Sequence, residues 1–283
     1  MIAGAARGNS GVLTRYPRTM ASRSGEPEGN AYRVESLAKG LRILTLFSDR
    51  KTSLRLKEIS ALAGLPMPTA FRLVETLIDE DYLERLPDGG VRPATGVLTL
   101  GFAALHGLDL VQTSAGILRD LADRTQQTVN LGVLSGDQVL YVARLYSNAL
   151  VTANVTVGSR LPAPVTSMGK LLLAFLPEAD VARRLGPAAF AGTWGPNAIE
   201  SVKALMKHLP RIREDGYAIQ DEELAGGLRS IAGPVRRADG EVIAAVNVAV
   251  PAAEFTVKQL VSKLRQPLLT ACETISRRLG ATR

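Results

Sequence analysis

Two short runs with helical spacing stand close together near residue 60, and a polar turn follows them. Apolar residues recur at helical intervals in "LRLKEISALAG", and Gly64 ends that run. "PMPTAFRLVETLIDEDY" begins the next run with two prolines, which a helix accepts only in its first turn. "YLERLPDGGVRPA" then predicts two strands joined by a tight turn at 88–90.

A third helical run precedes this pair. "SLAKGLRILTLFSD" places Leu37, Leu41 and Leu44 along a helical repeat. Three helices followed by a two-stranded ribbon are typical of a winged helix-turn-helix, a DNA-binding module. We therefore predict this module over residues 33–95.

The helix that begins near Pro66 is the predicted recognition helix, whose first turn enters the major groove while the preceding helix crosses the backbone. Arg72 can bind guanine through two hydrogen bonds, and a small apolar side chain can contact a thymine methyl group. A phosphate contact is expected early in the preceding helix, and two arginines flank the turn of the wing. The predicted DNA-binding residues are Lys57, Met67, Pro68, Thr69, Ala70, Arg72, Arg85 and Arg92.

Two of these assignments have structural alternatives. Arg72 can instead pair with Glu75 or Glu58 on the surface of the module. Phe71 has the spacing of Val74 in the same helix, so we predict that its ring lies in the core.

The net charge of the chain does not identify its partner. The 283 residues carry a formal charge of +7, but residues 35–95 hold nine basic and nine acidic residues. The excess positive charge therefore lies outside the predicted DNA-binding module, and the prediction depends on the pattern of residues rather than on charge.

Composition excludes several other classes. With 46% hydrophobic and 22% charged residues, the chain suits a folded protein of about two domains, and no apolar run approaches the roughly 20 residues of a membrane span. Residues 1–32 are rich in Gly, Ser and Arg and lack a secretory core, so we predict a disordered tail. One cysteine, Cys272, and two histidines give no disulfide and no zinc site, which indicates a cytoplasmic protein without metal or other cofactor.

The larger C-terminal part mixes helices and strands. Residues 96–112 predict a linker helix that breaks at His106-Gly107. From residue 128 the period changes to two, and further strands, including one over 149–157, and helices follow without regular alternation. This pattern predicts an α+β domain with an antiparallel sheet over residues 113–280.

Polar residues in apolar segments mark a candidate ligand pocket in this domain. Asn247 lies inside "VIAAVNVAV" and must either bond to neighbouring backbone or face a cavity. The start of "SMGKLLLAFL" at Ser167 is either a capped helix or a site where the helix N-terminus binds a carboxylate. Arg160 or Arg229 can supply a positive charge, unless acids at 222–223 neutralise it.

Several blocks of the sequence, in fixed order, resemble the IclR family of bacterial transcription regulators. They include "EISALAGLPMPTAFRLVETLIDEDYLER", "VNLGVLSGDQVLYVAR", "VTVGSRLPAPVTSMGKLLLAFL" and "REDGYAIQDEELAGGLRSIAGPV". The third block is most similar to the branch that controls catabolism of aromatic acids such as protocatechuate, hydroxybenzoate and β-ketoadipate. The resemblance implies a GAF-like effector domain, homodimers that also pair into tetramers on an operator, and no membrane association. With the helix start considered above, the predicted effector-binding residues are Ser167, Met168, Gly169, Gln220, Leu228, Ser230 and Asn247.

We therefore expect a DNA-binding transcriptional regulator, not an enzyme, that responds to a small aromatic or dicarboxylic acid. One alternative is an enzyme that uses segments 165–170 and 220–230, with the helical module serving only for dimerisation. Another is an architectural DNA binder whose effector domain no longer binds a ligand.

Overall fold

The computed structural model describes residues 33–47, 51–106, 110–145 and 155–281. The chain forms two compact units, the first ending at Val97 and the second beginning at Leu98. The predicted tail lies outside the described residues, as does most of the strand that was expected to precede residue 157.

The first unit contains three helices and a two-stranded ribbon. The helices are α1 (Glu35–Leu44), α2 (Leu56–Ala63) and α3 (Met67–Asp79), and the strands are β1 (Leu83–Arg85) and β2 (Val91–Pro93). The two strands pair in antiparallel fashion. This is the predicted winged helix-turn-helix.

Each element of this unit contributes to one small core. Ile43 of α1, Ile59 of α2 and Val74 of α3 are buried together. Leu83 and Val91 close the core from the ribbon, so the wing is part of the packing as well as of the surface.

Helix α1 does not bury the leucines that mark its repeat in the sequence. Leu37 and Leu41 are 63% and 54% exposed, whereas Gly40 and Ile43 are the buried positions of the helix. The helix carries apolar residues on two adjacent stripes, and helical spacing alone does not say which stripe meets the core.

The second unit is built on a six-stranded sheet in which neighbouring strands are antiparallel. The strands are β3 (Thr128–Ser135), β4 (Gln138–Leu145), β5 (Arg160–Pro162), β6 (Ala218–Asp221), β7 (Leu228–Arg236) and β8 (Val242–Pro251). Their order in the sheet is β5-β4-β3-β8-β7-β6. The α+β class and the antiparallel sheet are thus confirmed.

Helices precede the sheet, cover both of its faces and close the chain. They are α4 (Thr95–His106), α5 (Leu110–Thr125), α6 (Ser167–Ala174), α7 (Glu178–Arg184), α8 (Val202–Asp215) and α9 (Val257–Arg278). The break predicted at His106-Gly107 falls at the edge of residues 107–109, which lie outside the described residues. Helices α5 and α9 pack on one face of the sheet, while α6, α7 and α8 pack on the other, so two apolar clusters lie on either side of the strands.

The pairing of β3 with β4 contains a β-bulge. Leu131 lies opposite Ala143, but the next residue, Gly132, lies opposite Tyr141. Val142 is therefore an extra residue in β4, and the strand bends at this point.

Candidate DNA-binding helix and effector pocket

The turn between α2 and α3 is tight and well anchored. Gly64 ends α2 in the left-handed region with φ of 63°, where a side chain would be strained. The Ser60 hydroxyl donates a hydrogen bond of 2.6 Å to the Leu65 carbonyl and fixes the turn. Pro68 lies in the first turn of α3, where a missing N–H is tolerated.

The exposed side of α3 is apolar at its start. Met67 and Phe71 are 45% and 48% exposed, and Pro68 is exposed as well. Ala70, by contrast, is fully buried beside Val74. The prediction that Ala70 contacts DNA is therefore wrong, and so is the prediction that Phe71 lies in the core, because the buried stripe runs through Ala70 and Val74.

The basic residues of the module differ in how they are paired. Arg72 is exposed, and its guanidinium makes no ion pair or hydrogen bond within the part of the chain that the structure describes. Glu75, the expected alternative partner, binds Arg85 instead. Arg92 donates to Glu84 at 2.5 Å. Arg72 therefore keeps its charge available at the surface, while the two wing arginines are paired with acids.

The remaining predicted contacts lie at helix starts. Lys57 is exposed in the first turn of α2. Its neighbour Glu58 accepts a hydrogen bond of 2.7 Å from the backbone N–H of Arg55, so this acid caps α2 and does not pair with Arg72. Thr69 is half-buried in α3.

In the second unit, a row of polar side chains crosses the sheet. Asn130 lies opposite Arg144 of β4 and opposite Asn247 of β8. Its amide nitrogen donates to Asn247 Oδ1 at 2.7 Å, and its amide oxygen accepts from Arg144 Nη1 at 3.0 Å. Asn247 therefore finds a side-chain partner, and both buried amides are stabilised.

Helix α6 and two further strands extend this row. The hydroxyls of Ser167 and Ser230 lie 2.7 Å apart, and Asn247 Nδ2 donates to Ser167 at 3.4 Å. Ser230 in turn donates to Gln220 Oε1 at 3.4 Å. Hydrogen bonds thus connect β4 to β6 across the sheet, with the first residue of α6 in the middle.

Four of the predicted effector-binding residues border one cavity beside this row. They are Gln220, Leu228, Ser230 and Asn247. Ser167 is hydrogen-bonded to two of them. The cavity measures about 20 Å³, which is room for about one water molecule, so a larger ligand has to widen it.

Met168 and Gly169 are not among the described residues that border this cavity, so their prediction as ligand contacts receives no support from the geometry. Met168 is fully buried, and its Cε lies 3.1 Å from where a Cβ on Gly132 would stand. Gly169 lies against the backbone of Ala163. Its N–H donates to Thr166 Oγ1 at 3.0 Å, so Thr166 caps the helix and occupies this donor.

Several residues that the sequence analysis did not select also border the cavity. Among them are Asn130, Tyr141 and Arg144. Burial raises the pKa of the Tyr141 phenol, and the charge of Arg144 only partly opposes this, so the phenol is neutral at physiological pH. The signal that could have found Asn130 is the one that marked Asn247, a polar amide inside an apolar strand.

The arginines that were expected to supply the positive charge lie in other interactions. Arg160 donates to Ser135 at 2.7 Å near the exposed end of its hairpin. Arg229 pairs with Asp221 at 2.5 Å and with Glu222 at 3.1 Å. Neither borders the cavity among the described residues, and Arg144 is the cation that does.

The third acid of this segment forms a buried ion pair. Lys170 of α6 binds Glu223, and both side chains are less than one tenth exposed. Burial lowers the pKa of the Lys170 ammonium, and the Glu223 carboxylate opposes that shift. All three acids at 221–223 are therefore paired with basic side chains.

The described residues give little support for a reactive thiol, a metal site or a membrane span. Cys272 is buried in α9, and burial raises the pKa of its thiol to about 12. Within the ranges that the structure describes, no three histidine, cysteine or acidic side chains come together as a metal site. None of the described helices is both long and apolar enough to cross a membrane.

A winged helix with an open recognition helix, together with a separate sheet unit that holds a polar cavity, defines a DNA-binding protein with a ligand-binding domain. Residues 36–87 match the IclR helix-turn-helix domain, and residues 102–277 match the bacterial transcriptional regulator IclR C-terminal family. The chain belongs to the IclR family, and it is therefore a transcriptional regulator rather than an enzyme.

Similar proteins cover nearly all of the described chain. The HTH-type transcriptional regulator XynR of Escherichia coli K12 is 33% identical over 87% of this chain and 98% of its own length. The Pca regulon regulatory protein of Pseudomonas putida is 32% identical, over 87% of this chain and 84% of its own. A crystal structure of an IclR homolog from Microbacterium hydrocarbonoxydans, complexed with 4-hydroxybenzoate, superimposes with a TM-score of 0.73 at 27% identity, covering 86% of this chain and 99% of that one.

Gly169 permits a close approach of backbone rather than a ligand contact, and this can be tested by stability. A Cβ at this position would lie 2.2 Å from the Ala163 carbonyl oxygen. We expect Gly169→Ala to destabilise the second unit by about 1–3 kcal/mol in chemical denaturation. The matched control is Gly116→Ala in α5, where no atom lies within 4 Å and alanine should stabilise by about 0.5–1 kcal/mol. Equal effects of the two substitutions would contradict the packing role.

Proposed function

We propose that this chain is a ligand-responsive regulator that binds a two-fold symmetric operator as a homodimer and releases or re-engages it when a small carboxylate binds the sheet unit. The observation that carries the DNA-binding part is the exposed guanidinium of Arg72 on the first turns of α3, which has no partner among the described residues. In this proposal, the domain predicted at 33–95 binds DNA and the domain predicted at 113–280 binds the ligand. The helix predicted at 96–112 connects them.

The start of α3 can recognise bases through apolar contacts as well as through a charged side chain. Met67 and Phe71 lie one turn apart on the same face of the helix and present apolar surface there. Apolar side chains in the major groove contact thymine methyl groups, and an arginine binds guanine through two hydrogen bonds. We therefore propose that α3 recognises a half-site with thymine next to guanine, with Lys57 and Thr69 on phosphates.

Arg72→Ala should weaken operator binding by about 1–3 kcal/mol and relax the preference at one base position, because the lost contact is to a base edge. The measurement is a binding titration against the operator and against single-base variants of it at fixed salt. Arg278→Ala, an exposed arginine near the end of α9, is the matched control and should have no effect. Uniform weakening on all sequences would instead assign Arg72 to the phosphate backbone.

The exposed leucines of α1 support a dimer. Val34, Leu37 and Leu41 are each more than half exposed, and their spacing places them on one side of the helix. A contiguous apolar patch on a soluble domain marks an interaction surface, and a two-fold dimer buries the same patch from both copies. Such a dimer can place two recognition helices in successive major grooves, about 34 Å apart.

Leu37→Glu combined with Leu41→Glu should shift the protein towards monomer, because two charges would be buried at the proposed interface. Sedimentation velocity at micromolar concentration measures the mass, and a footprint measures whether both half-sites stay protected. Val157→Glu, at a position 54% exposed in the second unit, serves as the control. If the charged double variant remains dimeric, the dimer interface lies elsewhere.

The effector is proposed to enter between α6 and the sheet. Arg144 supplies a positive charge at the cavity, and the amide and hydroxyl groups of Asn247 and Ser230 supply hydrogen bonds. A relative of known structure that holds 4-hydroxybenzoate and a relative named for the Pca regulon support an aromatic or dicarboxylic acid. Because the cavity is so small, binding has to displace some of the residues that border it, which links occupancy to conformation.

An effector present at about 100 times its dissociation constant should stabilise the protein by roughly 2.7 kcal/mol. Ser230→Leu combined with Asn247→Leu should abolish this thermal shift and the effect of the acid on operator binding, because it removes polar groups of the cavity. Each shift is measured relative to the same variant without acid, since Asn130 loses its partner and the variant is less stable at the outset. An undiminished shift would place the ligand outside this cavity.

A further inference from the structure

The cavity beside the polar row of the sheet has one charged group among the described residues that border it. Arg144 contributes its guanidinium, which is held by the hydrogen bond to Asn130 Oδ1. A carboxylate of a ligand gains a charge-assisted hydrogen bond from this group. Among the described residues that border the cavity, Arg144 is thus the one cation that can bind a ligand carboxylate.

The charges nearest to the cavity do not alter this count. Lys170 and Glu223 neutralise each other as a buried pair in α6 and the segment after β6. Arg229 is held by Asp221 and Glu222 and by the backbone carbonyl of Ala252. A second carboxylate in the cavity would lose its hydration without gaining a cation, which is unfavourable.

The other side of the cavity offers a neutral hydrogen-bonding group without a partner. Gln220 is 1% exposed, and its amide nitrogen has no hydrogen-bond partner in the described structure. Its oxygen already accepts from the Ser230 hydroxyl. A buried donor without a partner destabilises the protein unless a ligand atom accepts from it.

A hydroxyl group of the ligand meets this requirement in either orientation of the amide. It can accept from the Gln220 NH₂ group, and it can donate to the oxygen if the amide turns by 180°. Tyr141, which borders the same cavity, keeps its hydroxyl proton and is a second neutral partner. Neither group compensates a negative charge as a cation does.

We infer that the effector is a hydroxylated monocarboxylate, with its carboxylate on Arg144 and its hydroxyl on Gln220. This inference rests on the proposed function and narrows it, because it selects against dicarboxylic acids and against acids without a hydroxyl. Arg144 and Gln220 lie on β4 and β6, near opposite edges of the sheet, so the two polar ends of the ligand point away from each other.

Two matched sets of acids test this at two sizes of ligand. The ring set is benzoate, 4-hydroxybenzoate and terephthalate, and the open-chain set is butyrate, 4-hydroxybutyrate and glutarate. Each set varies only in one added group, either a hydroxyl or a second carboxylate. Calorimetric titration of the full chain should show, in at least one set, the hydroxy acid binding about tenfold more tightly than the unsubstituted acid and the diacid binding most weakly.

Variants at the two ends separate their roles. Gln220→Met should reduce the preference for the hydroxy acid to within about twofold, while Arg144→Met should weaken binding of every acid by more than tenfold. Gln266→Met, at an exposed glutamine of α9, is the matched control and should leave the preference intact. Melting temperatures of the unliganded variants establish that each is folded.

Tightest binding of the diacid in either set would overturn the inference, as would a preference for the hydroxy acid that survives Gln220→Met. Failure of all six acids to bind at millimolar concentration would overturn it as well. If a variant does not fold, the order of affinities that the wild-type protein shows for the acids decides the test by itself. Operator binding, measured on the same preparation, shows separately whether the proposed regulator function stands, because a protein that does not bind DNA would invalidate that function whatever the ranking.

Discussion

Amide side chains inside apolar strands must find partners, and this requirement organises the second unit. Asn130 and Asn247 lie opposite each other on β3 and β8 and bond at 2.7 Å in a buried setting. Each amide left alone would cost about 1–3 kcal/mol. A slip of one residue would turn both side chains to opposite faces, so the pair fixes the register of the two central strands and with it the position of the cavity.

The contact between α6 and the neighbouring turn adds a mechanical constraint. Gly169 lies so close to Ala163 that the helix cannot move nearer to that turn. At the start of the helix, Ser167 is hydrogen-bonded to Ser230 and Asn247 of the sheet. Polar contacts of this kind can be replaced by a ligand's own groups, whereas close backbone packing cannot, so α6 and its turn are expected to move as one body.

Sequence reasoning located the elements well but assigned helix faces less reliably. The ribbon, the closing helix and the polar residues of β7 and β8 follow from turn residues and from period-two alternation. Ala70 and Phe71 are adjacent, and each was placed on the wrong side of α3, because apolar residues occupy both stripes there. Leu37 has the same ambiguity in α1. Hydrophobic periodicity reports that a stripe exists, and packing against other elements decides which stripe is buried.

The cation of the cavity was missed for a different reason. Arg144 stands beside Asn130 only because of hairpin pairing between residues 14 positions apart, and that pairing is not regular. The arginines considered from sequence, Arg160 and Arg229, were adjacent in the chain to the predicted pocket segments. Both have partners that become visible only when the strands and the 221–222 acids are placed in space.

The extra residue in β4 has a consequence for the chemistry of the cavity. Tyr141 and Arg144 are three positions apart, a spacing that would direct them to opposite faces of a regular strand. Val142 and Ala143 both face the α5 and α9 layer, so the phenol and the guanidinium emerge together on the far side. Removing Val142 would restore simple alternation and rotate one of the two away. Deleting one residue from the strand would thus change which ligand the cavity accepts, although the side chains that border the cavity would remain the same types.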